Sequence, residues 1–125
     1  MFKSVIIAGI GGFIGTALRF VISRYFQLHY LSVFPWSTFL INILGSFLIG
    51  IFFGLSEKGN ILSSEWRIFL TVGICGGFTT FSSLSNDAFL LMQNREIFRL
   101  FIHAGLSFVL GLAAVFTGRL IIKFI

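Results

Sequence analysis

Charge is scarce in this sequence. Lys and Arg number nine and Asp and Glu four among 125 residues, or 10%, where soluble domains carry about 25%. That scarcity excludes an ordinary soluble domain, and 57% hydrophobic residues, with 18 phenylalanines, place the chain in a bilayer. Cysteine is scarcer still: Cys75 stands alone, so no intrachain disulfide forms and the redox compartment goes unmarked. Four acids, two histidines and one cysteine supply no metal cluster at ligand spacing, no nucleophile–base pair and no phosphate loop. The residues predict a protein that is not an enzyme. Its net charge of +5 fits helix ends meeting anionic headgroups better than it fits nucleic-acid binding.

What is present are long apolar runs between isolated charges. A helix needs roughly 20 apolar residues to cross the hydrocarbon. The charges predict one four-helix transmembrane domain over residues 1–125, all-α, with helices about 4–25, 36–55, 68–94 and 99–123. Lys3 and the apolar run after it imitate a signal peptide. The run reaches Ser23 without a small-residue cleavage pattern and three more spans follow, so a retained first helix is predicted. Pro35, the lone proline, suits the first turn of the second helix, and the SEKGN stretch after Leu55 reads as a loop.

The third span holds the stretch GICGGFTTFSSLSND, Gly73 to Asp87. Glycines weaken a helix and hydroxyls compete for its backbone bonds. In lipid, broken backbone persists only where protein covers it or where it lines a wet pathway. A break near residues 76–80 would leave two half-helices meeting at mid-depth, as around the ion sites of transporters. Freed carbonyls suit a cation. Exposed N–H groups and hydroxyls suit an anion, as do phenylalanine ring edges, which carry positive potential. A kinked, tightly packed helix without an ion is the plainer reading.

Small and polar residues recur at helical spacing elsewhere. Ala8, Gly12, Gly15 and Arg19 share a face of the first helix, and Gly11 with Gly15 forms a GxxxG, a packing signal. Thr38, Asn42 and Gly45 mark the second helix, His103, Ser107, Gly111, Ala114 and Gly118 the fourth. A buried Asn42 amide needs partners for two donors and an acceptor, and fits a pathway lining and interhelical glue equally. Arg19, about a turn from its helix end, reads as snorkelling to the interface or as a buried ion pair. Asp87 must face water, pair with a base or cap broken backbone. His103 reads as a pH-sensitive ligand or, more commonly, a hydrogen-bonded core histidine.

With four spans, Lys3, Lys58, Arg67, Arg119 and Lys123 fall on one side, and Arg24, Arg95 and Arg99, with or without Arg19, on the other. Five against three or four is a small bias for the positive-inside rule. Insertion both ways up, with pairing as an antiparallel dimer, is compatible with it. So is a single orientation.

The third-span stretch, the upstream STFLINILGSFLIG (Ser37 to Gly50) and GGFIGTALRF (Gly11 to Phe20) resemble, in order, the Fluc or CrcB family of small fluoride channels. The resemblance spans nearly the whole chain and includes the specific GGFTTFS core. It implies a four-helix protein of a bacterial inner membrane, assembled as an antiparallel, dual-topology homodimer that exports fluoride passively and holds a structural sodium ion at the dimer centre. Residue by residue, it implies that the carbonyls of Gly76 and Thr79 hold the sodium. Asn42 and Phe81 would meet fluoride, Thr80, Ser82, Ser83 and Ser107 would supply hydroxyls along the path, and Arg19 would lie by the vestibule. The family usually reads STF where this chain has Ser82, Ser83 and Leu84, so a leucine replaces the second phenylalanine. His103 stands where a tyrosine is common. Three readings of the leucine stay open: a channel that tolerates it, a channel that conducts poorly, or one half of a heterodimer with a paralogue that supplies the missing ring. Two other functions fit four short helices: a small dual-topology multidrug or cation exporter, for which Asp87 is the only membrane carboxylate, and a non-conducting assembly subunit built on GxxxG packing.

Overall fold

A computed structural model describes residues 1–30, 34–59 and 61–125. It is all-helical, with no strand among the described residues, and contains four helical stretches long and apolar enough to cross a membrane. The protein is an integral, multi-pass membrane protein.

Helix α1 runs Phe2–His29, further than the charge at Arg24 predicts. Tyr25 and His29, one turn apart, stack at 4.3 Å and carry the helix on until Tyr30 turns extended. Helix α2 runs Trp36–Glu57 behind Pro35, so Ser56 and Glu57 of the expected loop are helical. Gly59, at φ +101°, adopts the left-handed backbone that ends the segment. Asn60, the last residue of that loop, lies outside the described residues.

The third crossing is built in pieces. Helix α3, Ser64–Arg67, is capped by Ser63, whose hydroxyl accepts the Trp66 N–H. A π-helical segment, Ile68–Cys75, follows, and at its end the Gly76 N–H reaches back five residues to the Thr71 carbonyl. Such widened turns recur at functional sites. Thr71 adds to the departure from a regular ladder by donating its hydroxyl to the Arg67 carbonyl at 2.7 Å. The short turn α4, Gly76–Phe78, then stops. Thr79 (φ −87°, ψ 156°) and Thr80 (φ −153°, ψ 123°) are extended, and α5, Phe81–Gln93, restarts the helix. The bend predicted near 76–80 thus falls at its C-terminal end. Helix α6, Ile97–Lys123, completes the bundle.

Helix α1 packs on the π segment and α4, while α2 and α5 pack on α6. Lys3 pairs with Glu65 at 2.8 Å and Arg119 with Glu57 at 2.6 Å. The Lys58 Nζ donates to the Ile122 carbonyl, one of the last of α6, at 3.2 Å. These contacts gather the N-terminus, the connection after α2 and the C-terminus at one end. Most of each span's surface is uncovered by the chain itself, as expected of helices whose outer faces meet lipid or another subunit.

A candidate ion pathway

The break is held by an amide. Asn42 on α2 donates from Nδ2 to the Thr80 carbonyl at 3.1 Å, and its Oδ1 accepts the Thr80 N–H at 2.9 Å. An extended residue at membrane depth offers two backbone groups no ladder satisfies, and one carboxamide matches both. Thr80 in turn caps α5, its hydroxyl accepting the Ser83 N–H at 3.2 Å and lying 3.1 Å from the Ser82 hydroxyl. Thr79 folds its hydroxyl back onto the Cys75 carbonyl at 2.9 Å. Its own carbonyl follows an extended backbone and leaves the helical direction.

Arg19 reaches the same place from α1. Its Nε donates to the Gly77 carbonyl at 3.0 Å, a backbone partner that the sequence spacing does not point to. It caps the half-helix that ends at Phe78, a cation at the carbonyl end of a helix. Glycines admit this close approach. A Cβ on Gly11 would stand 2.6 Å from the Phe69 carbonyl oxygen, and one on Gly15 would overlap the Ile74 carbonyl. The GxxxG is therefore packing, against the π segment. On α2, a Cβ at Gly45 would occupy the place of the Thr79 methyl.

Two cavities flank the break. A groove of about 430 Å³ is lined by Asn42, Ser46, Thr79, Thr80, Phe81, Leu84 and Ser107, with Phe108 and Leu112 on its outer lip. Phe81 is 73% exposed there. The second cavity, of about 440 Å³, lies at the mouth between α1, α2 and α5, and Ser37, Thr38, Ser82, Ser83, Asn86 and Asp87 supply polar walls. The expected pathway residues are thus divided. Asn42, Thr80, Phe81 and Ser107 share the groove, Ser82 and Ser83 face the mouth, and the Thr80–Ser82 hydroxyl contact joins the two spaces. Arg19 lines neither. Gly76 belongs to the turn before the break and Thr79 to the groove wall.

His103 is fully buried, but neither ring nitrogen has a hydrogen-bond partner among the described residues. The more common expectation, a hydrogen-bonded core histidine, is corrected on that point. Nε2 stands 3.6 Å from the Asp87 Oδ2, too far for a good hydrogen bond, and among the described residues that oxygen and the Ser107 hydroxyl are unpartnered as well. Phe34 and Phe39 close the ring in, at 5.3 and 6.1 Å between centroids. Asn86 was not singled out among the candidates, although it sits in the polar stretch and its helical position turns it into the mouth.

A family profile described as "CrcB-like protein, Camphor Resistance (CrcB)" matches residues 6–119. Among curated proteins, one of Flavobacterium psychrophilum is 40% identical over 121 residues, 97% of this chain and 98% of its own length. One of Azobacteroides pseudotrichonymphae is 43% identical over 124 residues, 99% of each. One of Thermus thermophilus is 44% identical over 113 residues, 90% of this chain and 88% of its own. Each of the three bears the name "Fluoride-specific ion channel FluC".

Proposed function

This chain belongs to the CrcB family, and we propose on that premise that it is a fluoride-selective channel passing fluoride down its gradient across a bacterial inner membrane. The observation that carries the proposal is the convergence of Asn42, Thr80, Phe81 and Ser107 on one groove beside a broken helix. Fluoride is small and strongly hydrated, so a pore must replace lost water with donors that do not trap the ion. The groove offers such donors: the second Asn42 N–H, the Thr80 and Ser107 hydroxyls and the edge of the Phe81 ring. None carries a full positive charge. The polar mouth, with Ser82 and Ser83, would rehydrate the ion on exit.

A groove with these polar walls, open on the flank of the bundle, would expose unsatisfied groups to lipid. A second copy in antiparallel orientation would cover it and close the pore, the small excess of positive residues on one side being compatible with both orientations. A paralogue in place of the second copy would serve if Leu84 needs an aromatic opposite it. At the centre of such a dimer, the carbonyls of Gly76 and Thr79 from both copies would hold a sodium ion. They fit it as hard, uncharged oxygens. Thr79 turns its carbonyl out of the helix, and no group of three or more His, Cys, Asp or Glu among the described residues competes for a metal. A bound sodium would tie the two copies together at the break.

Cells lacking their own fluoride exporter test the reading. Expression of this chain should restore growth in fluoride medium, whereas a folded, membrane-inserted chain that leaves the cells as sensitive as before would refute it.

A further inference from the structure

A third cavity, of about 460 Å³, opens between the C-terminal ends of α2 and α6 and shares no lining residue with the groove or the mouth. Its walls are of two kinds. Glu57, Lys58, Arg119 and Lys123 form a charged rim at the helix ends, and Phe116 and Leu120 continue the wall into the span. At 1.5 Å of rise per residue, Phe116 lies about 10 Å deeper than Lys123 along α6. Both apolar side chains are open to the surroundings, Phe116 at 66% exposure. Around α6, this wall stands about a quarter turn from the groove wall at Ser107 and Gly111.

Three cations meet one carboxylate at the rim. Arg119 donates from one terminal nitrogen to Glu57 at 2.6 Å, and its guanidinium carbon lies 5.6 Å from the centre of the Phe53 ring. Those two contacts position the guanidinium and balance Glu57, while one N–H of its five is spent on the pair. Lys58 gives one of its three N–H groups to the Ile122 carbonyl at 3.2 Å. The Lys123 ammonium has no ion pair or hydrogen bond among the described residues. The rim therefore keeps an excess of positive charge and several free donors, directly above an apolar slot.

We propose that this cavity holds one anionic phospholipid, its phosphate taken by Lys58, Lys123 and the free N–H groups of Arg119, with an acyl chain along Phe116 and Leu120. Basic pockets between transmembrane helices at the headgroup level favour such lipids. A soluble anion would use the rim and leave the apolar wall uncovered. A zwitterionic lipid would cover the wall but bring its own cation to a rim that is already positive. An anionic phospholipid complements both. The site is independent of which ion the groove carries.

Native mass spectrometry of the purified chain counts lipids retained after release from a neutral detergent containing phosphatidylglycerol or phosphatidylcholine of equal chain length. One phosphatidylglycerol per chain should be retained, and phosphatidylcholine should be held about tenfold more weakly. Lys123→Gln, which breaks no contact of the fold, should weaken phosphatidylglycerol about fivefold, the scale of one basic side chain near an anionic headgroup. Lys3→Gln removes a charge from the same end of the bundle but outside the cavity, and should bind as the unaltered chain does. Equal retention of the two lipids, no retained phosphatidylglycerol, or a Lys123→Gln chain that loses no more than Lys3→Gln would overturn the site. Displacement of the lipid by millimolar inorganic phosphate or by glycerophosphoglycerol, the headgroup without chains, would assign the rim to a soluble phosphate and overturn it as well. None of these results alters the expectation for fluoride efflux.

Discussion

Asn42 grips Thr80 by both backbone groups, donating to its carbonyl at 3.1 Å and accepting its N–H at 2.9 Å across 38 residues of sequence. That double contact joins α2 to the break in the third crossing. It also leaves one Nδ2 hydrogen on the groove side, so under the proposed function one residue would serve architecture and conduction together.

Replacing Asn42 by Asp therefore removes a donor twice, from the Thr80 carbonyl and from the path, and adds a negative charge. Fluoride efflux should fall at least about tenfold, the scale of one lost hydrogen bond to a charged group. A fluoride electrode on reconstituted liposomes measures it. Efflux at the wild-type rate would remove Asn42 from the pathway.

The Thr80 hydroxyl caps α5 through the Ser83 N–H. Thr80→Val should cost about 1 kcal/mol of stability, as lost N-caps do, and Thr80→Ser should recover most of it. Thermal unfolding in detergent distinguishes them. Equal stability of both variants would mean that the cap contributes nothing.

Gly15 lies against the Ile74 carbonyl so closely that any Cβ would overlap it, whereas nothing stands within 4 Å of a Cβ at Gly9. Gly15→Ala should destabilise by about 1–3 kcal/mol, the range of an overpacked core. Gly9→Ala on the same helix should be neutral or slightly favourable, because alanine is the better helix former. Similar melting of the two variants would contradict the packing of α1 on the π segment.

Leu84 shares the groove wall with Phe81 but brings no ring edge to it. Leu84→Phe should raise fluoride flux and Phe81→Ala should lower it, each severalfold, since one aromatic contact contributes about 0.5–1.5 kcal/mol. Flux ratios from the same electrode recordings decide. A loss of flux in Leu84→Phe would mean that the leucine is fitted to this pore and does not mark a missing ring.

Much of this was legible in the residues. Isolated charges fixed four spans because lipid admits few of them, and the glycines and threonines from Gly76 to Thr80 announced a bend because no continuous helix favours them. Asn42 stayed ambiguous until its partner was known, since an amide satisfies a backbone and an anion with the same atoms. Arg19 was unreadable for a related reason: its target, the Gly77 carbonyl, becomes available only once the half-helix stops nearby. The isolation of His103 is a property of packing, set by Phe34, Phe39 and a 3.6 Å gap to Asp87, and sequence spacing carries no trace of it. The proposed closing of the groove by a second copy belongs to assembly, which one chain's spacing would express only through its near-balanced charges.

The central claim is that this chain, with no other protein, conducts fluoride and rejects chloride. Purified protein in liposomes loaded with both ions, followed with a fluoride and a chloride electrode after a potassium ionophore is added, tests it most directly. Prompt fluoride release with chloride retained is the predicted result. Release of both ions together, or of neither, would contradict the account.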